Sequence, residues 1–282
     1  MTFKISSTLF RLIFCTIALA SLSTRAIGQV DIEKQSEAIV QEGKRLFKSE
    51  FASWNGTDIF LGQFKQTETI GGYFSYPAAG GEKCIFFSKG DSPTVIGSVL
   101  FDSTKNIKDA KPDLQERSFT AEENNYYTIR LTALKAINSD TLFKTYQNTE
   151  LNLIPLISAT ERKVYVLTGP KENGKVIIGN DYLITFDDRN TIISKKPLHK
   201  NILAIPFGGE DKEAVAAMHS HIPQTGEFIT ATDICTLMLY EKFAKWDQHL
   251  VIAEHYVSIW NCKTDELLIL TKKAWNKIYK KS

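Results

Sequence analysis

Apolar residues recur at Ile32, Ala38, Ile39, Val40, Leu46 and Phe47, with strong helix formers between them. That spacing predicts an amphipathic helix over residues 31–49. Asn55-Gly56 in "SWNGTDIF" then predicts a turn. From residue 70 to 102 the pattern changes. "IGGYFSYPAAGGEKCIFFSKGDSPTVIGSVLFD" is rich in aromatic and β-branched residues and broken by Gly and Pro clusters, which predicts three antiparallel strands. Residues 119–147 return to a helical pattern: Thr120 and Glu123 have capping-box spacing, and Ala133, Leu134 and Ile137 continue the stripe.

From residue 161 strand patterns follow one another: "RKVYVLTG", "KVIIGNDYLITFD" and "TIISKKPLHKNILAIPF", with "PKENG" and "DDRN" as hairpin turns. "HLVIAEHYVSIWNC" and "ELLILTKKAWNKIY" add two or three strands and a closing helix. The elements predict a mixed α+β protein, with an N-terminal α+β region of antiparallel strands (29–150) and a C-terminal α+β unit (151–282). Pro155 in "NLIPLIS" is the only punctuation near that boundary.

The first residues alter the picture. "MTFKISSTLFRLIFCTIALASLSTRAIGQV" has Lys4 and Arg11, an apolar run from Leu12 to Leu22, and small residues before Gln29. This is the layout of a signal peptide over residues 1–28. The run is shorter than the roughly 20 residues a membrane span needs. The expectation is export to a periplasmic or extracellular location, with no integral membrane segment in the mature form. The 34 Lys and Arg nearly balance the 32 Asp and Glu, giving a net charge of +2. Only the tail "TKKAWNKIYKK" is basic, and its Trp275, Ile278 and Tyr279 predict a docked helix, so nucleic acid is not an expected partner. Beyond the leader lie Cys84, Cys235 and Cys262. Either Cys235 pairs with Cys262, or all three are small buried apolar residues.

The candidate chemistry lies in "MHSHIPQTGEFITATD". On an extended chain His219 and His221 point the same way and form a bidentate platform for a divalent metal; two surface histidines are the simpler reading. Pro223 and Gly226 end the strand, and "TATDICTLMLYEKF" starts a helix with Ile234, Leu237 and Met238 along its stripe. Asp233, in the first turn, either faces the histidines or closes a capping box with Thr230. His199, His249 and His255 are either outer contacts to such a site or ordinary strand and core histidines. "GPKENGK" lacks phosphate-loop spacing, and Ser220 has no nucleophile-elbow context.

His-x-His, a loop and T-x-x-D at a helix start resemble the signature of the JAB/MPN (JAMM) metallopeptidases over about residues 160–262. Here Ile222 precedes the loop proline, and Thr230 stands where the family has serine. The resemblance implies a JAB/MPN-like mixed sheet with flanking helices, and Zn2+ held by His219, His221 and Asp233. It also implies Thr230 assisting an oxyanion and Glu161, at the head of "ERKVYVLTG", as general acid/base. The function implied is a zinc-dependent hydrolase of peptide, isopeptide or other amide bonds; with the leader this becomes an exported enzyme, and the compartment alone suggests a peptide or amide-containing envelope substrate. The alternative is a non-catalytic envelope binding or scaffold protein, with "GGYFSYP" and "CIFFSKG" as its surface.

Overall fold

A computed structural model describes residues 7–102, 107–208 and 216–279, with side chains from residue 31 onward; the leader expected at 1–28 lies outside the described side chains. Among the described residues no helix is long and apolar enough to cross a membrane.

The N-terminal stripe belongs to a helix, α1 (Ser7–Gln63), that runs past the expected end. The turn expected at Asn55-Gly56 does not form. Asn55 Nδ2 donates to Phe51 O, one helical turn back, at 2.8 Å. Gly56 serves close packing instead, since a Cβ there would lie 2.9 Å from the Cys84 Cβ.

α1 lies on an antiparallel sheet of β1 (Ile70–Ala78), β2 (Gly81–Ser88), β3 (Val95–Phe101) and the short β4 (Pro112–Asp113). The first three are the strands that the aromatic, β-branched pattern predicts. Phe60 of α1 stacks on Phe86 of β2, ring centroids 4.0 Å apart, within a core that includes Ala52, Cys84 and Val99. The helix α2 (Ala121–Ser139) opens with the expected Thr120–Glu123 capping box and stops at Ser139, short of 147. There Asp140 adopts an extended conformation and its carboxylate accepts from the Leu142 N–H.

The C-terminal half begins with β5 (Thr149–Ile157), which carries Pro155. Proline is tolerated because β5 is an edge strand of an antiparallel sheet. That sheet continues through β6 (Arg162–Pro170), β8 (Tyr182–Phe186) and β9 (Ile192–Pro197). Between them β7 (Lys175–Gly179) leaves the sheet to pair with β10 (Ile202–Pro206). "PKENG" is therefore not a paired hairpin: β6 pairs with β5 and β8. The reason is the bend after β7, where Gly179 (φ +86°) and Asn180 (φ +52°) reverse the chain so that β8, not β7, returns to β6. "DDRN" does join an antiparallel pair, β8 and β9.

A third sheet holds β11 (Ala216–Ser220), β12 (Gln248–Ile252), β13 (Tyr256–Asn261) and β14 (Glu266–Thr271). β11 and β12 are parallel, joined by a crossover through α3 (Ala231–Ala244); α4 (Lys272–Tyr279) closes the chain. The fold is thus mixed α+β.

α1 packs on both sides of the boundary expected near residue 150. Its Ile39 and Val40 pack on the core of Ile234, Leu237, Val251 and Trp260, and Leu46 shares a core with Ile154, Tyr165 and Cys235. The three described cysteines are free and buried, so Cys235 and Cys262 do not pair. Burial pushes the Cys84 thiol up to about 12, which keeps it protonated and inert.

Candidate metal centre

β11 ends at Ser220, but the ladder extends one residue further: the His221 N–H donates to Ile252 O of β12 at 3.0 Å. His219 and His221 therefore stay on one face, as the alternation predicts. His249 lies on β12 opposite Ala217, two residues before His219, and so shares that face. Its Nε2 lies 2.8 Å from His219 Nδ1.

Asp233 reaches the same point from the start of α3. Thr230 is the N-cap: its hydroxyl accepts from the Asp233 N–H at 3.1 Å, and the Thr230 N–H donates to Asp233 Oδ2 at 2.9 Å. Both sequence readings of T-x-x-D hold at once, because the carboxylate that closes the cap also faces the histidines. Oδ2 is 3.3 Å from His221 Nε2, and Oδ1 is 3.7 Å from His219 Nε2.

A fourth histidine comes from the loop between β9 and β10. His199 Nε2 lies 3.1 Å from His221 Nε2 and 3.5 Å from Asp233 Oδ1. His219 and His221 bring their Nε2 atoms to 3.0 Å. On its other side His199 Nδ1 is 2.6 Å from the buried carboxylate of Asp181, which follows the bend after β7. The proton therefore sits on Nδ1, and the Nε2 face is turned toward the cluster. One donor atom from each of His199, His219, His221 and Asp233 lies within 4.8 Å of the others.

Hydrogen bonds join the Nε2 atoms in pairs and leave other ring nitrogens without a partner. Three Nε2 atoms and a carboxylate converge, while the buried Nδ1 atoms of His221 and His249 have no partner. Buried nitrogen lone pairs facing one another are costly. Burial would push the Asp233 carboxyl up, but the His199 and His219 imidazoles hold it well below the carboxylate range. Burial lowers His199, yet Asp233 and Asp181 outweigh it and raise the imidazole. Burial dominates at His219, which falls to about 4, and at His249, which falls to about 3.

The residues fit a zinc ion. Four ligands at 2.0–2.1 Å around a tetrahedral centre lie about 3.3 Å from one another. Five of the separations, 3.0–3.7 Å and counting both Asp233 oxygens, bracket that edge, and all four residues have a donor atom within 4.8 Å of the others. The buried Asp233 carboxylate faces the imidazoles, and the buried Asp181 carboxylate stands behind His199.

The expected catalytic partners fare differently. Glu161 precedes β6 at the end that pairs with Phe186, whereas Asp181 adjoins the other end, where Val166 meets Tyr182. Four residue steps of strand, about 13 Å, separate the two ends. Glu161 is exposed and bridges to Lys163 at 2.7 Å, so it is not brought to the cluster. Thr230 is next to the cluster, but its hydroxyl is spent on the cap and on Thr232 Oγ1, at 2.9 Å. His255 is remote, exposed and paired with Glu227. A cavity of about 280 Å³ adjoins the site; His199 and His219 line it, with Lys200, Asn201 and Thr225 nearby.

Sequence reading missed Asp181 altogether and did not rank His199 among the ligands. The available signals were a Gly-Asn bend ahead of an aspartate ("GNDY") and a histidine in a short inter-strand loop ("PLHKN").

Compared with family models, curated proteins and solved structures, the chain finds no match.

Proposed function

We propose that the C-terminal half is a zinc-binding domain, its ion held among His219, His221, Asp233 and the neighbouring His199. The observation that carries this reading is the convergence of imidazole nitrogens and a carboxylate at separations suited to one ion. Nitrogen and oxygen donors without a thiolate suit zinc among the abundant divalent ions, and the all-imidazole nitrogen set disfavours magnesium and calcium. Asp181 and His249 would orient His199 and His219, in the way that outer partners fix metal-bound imidazoles.

A second reading, hydrolysis of a peptide or other amide bond, is favoured by the cavity against His199 and His219. Zinc would supply Lewis acidity and, where a coordination position is open, an acidified water. No carboxylate stands among the described residues lining that cavity, so a general base is not evident there. The leader-like first residues support export, where envelope peptides are the accessible substrates.

Elemental mass spectrometry of the purified chain tests the zinc reading. The expected result is about one zinc per chain, lost in His221→Ala. Absence of metal from both, even after zinc is added, would reduce the cluster to packed histidines beside a capped helix.

A further inference from the structure

We infer that the protein itself closes the centre: His199 is an inner ligand that fills the fourth position, and Asp181 is the positioning residue that holds it there. This inference rests on the zinc reading above. Two His and an Asp alone would leave a position open, as catalytic zinc sites do.

The geometry argues for closure from three sides. His199 Nε2 lies 3.1 Å from His221 Nε2 and 3.5 Å from Asp233 Oδ1, the same spacings that separate the other donors. Its ring is fixed from behind by Asp181 at 2.6 Å, in the carboxylate–imidazole arrangement that orients metal ligands. The two loops are also stitched together. The Leu198 N–H donates to Asp181 O at 2.8 Å, and the Asn180 N–H donates to Asn201 O at 3.0 Å. Their close approach depends on Gly179, where a Cβ would stand 2.3 Å from Asn201 O. His199 is thus preorganised at the cluster and is not a surface side chain that happens to swing near it.

The position of His199 also decides access. His199 and His219 line the adjoining cavity, while His221 and Asp233 do not. A small molecule in that cavity meets His199 and His219, with His221 and Asp233 behind them. The resting centre then presents no vacant position, and any substrate chemistry there requires His199 to leave.

Cobalt(II) substitution of the full chain, followed by visible absorption during azide titration, tests this. The wild type is expected to give the intense bands of four-coordinate cobalt, unchanged by azide. His199→Ala is expected to retain cobalt more weakly and to shift its bands as azide enters the vacated position. Asp181→Asn keeps the ligand but loses its anchor, and metal affinity should fall by about 10- to 100-fold. Azide shifting the wild-type bands would overturn closure while leaving the metal site intact. So would a His199→Ala spectrum and affinity equal to those of the wild type. Failure of the wild type to bind cobalt or zinc would instead overturn the zinc reading on which closure rests. The wild-type titration decides the question even where a variant does not fold.

Discussion

Asp233 carries two duties, and single substitutions separate them. It closes the cap of α3 through the Thr230 N–H, and it faces three imidazoles. Thr230→Val should remove the hydroxyl that accepts from the Asp233 N–H, costing about 1 kcal/mol in denaturant unfolding, with zinc content unchanged. Asp233→Ala should lose both the cap and the metal. Equal zinc loss in the two variants would mean that Thr230 acts at the centre and not only on the helix. Elsewhere Glu123 is fully buried and is held by two 2.7 Å bonds from Arg117, one from the Thr120 N–H and one from the Tyr76 hydroxyl. Burial would raise its carboxyl, but these partners hold it down to about 2 from an ordinary 4.5. A folded value below the unfolded one gives stability that is complete above pH 4.5 and lost as pH falls toward 2. Glu123→Gln should lower stability at neutral pH by about 2–3 kcal/mol and flatten the acid limb between those values. An unchanged acid limb, followed by circular dichroism, would contradict that role.

Secondary-structure elements were legible where local pattern dominates. Strand-rich composition broken by Gly and Pro placed β1 to β3, the strand tracts after residue 161 hold β6 and β8, and capping spacing placed the starts of α2 and α3. What escaped was set by partners far along the chain. Gly56 looks like a turn residue locally, but the approach of Cys84 makes it a helix-packing residue. β7 leaves its neighbour because Gly179 and Asn180 bend the chain, and β10, whose pairing no local signal reveals, takes it up. Three of the candidate ligands were visible: His219 and His221 because a strand places them together, and Asp233 because a helix starts with it after the loop. His199, Asp181 and His249 come from separate elements, and only the assembled sheets bring them into range. The same non-local logic makes Gly43 a testable packing position between α1 and α3. A Cβ there would lie 2.7 Å from both Cβ and Cγ2 of Ile234, and a β-branched side chain yields little. Gly43→Ala should therefore destabilise by about 1–2 kcal/mol in thermal or denaturant unfolding, although alanine favours a helix in isolation. Stabilisation by the alanine would show that the helices part easily.

For the whole molecule, α1 is the shared element. It packs on the N-terminal sheet through Ala52 and Phe60, and on the C-terminal core through Ile39, Val40 and Leu46. α3, which starts at Asp233, lies in that same C-terminal core. Metal at the cluster should therefore stabilise the chain as a whole. With zinc free at about 100 times its dissociation constant the gain is about 2.7 kcal/mol, read as a rise in unfolding midpoint that a chelator reverses. An unfolding midpoint indifferent to zinc would contradict the coupling.

The most direct measurement is zinc-edge X-ray absorption on the full chain loaded with one equivalent of zinc. The account predicts a shell of nitrogen and oxygen alone near 2.0 Å, with the outer-shell scattering of imidazole rings and no sulfur. The three described cysteines are buried away as core residues. Sulfur near 2.3 Å, or zinc with no imidazole signature, would contradict the assignment of His199, His219, His221 and Asp233 as the metal centre.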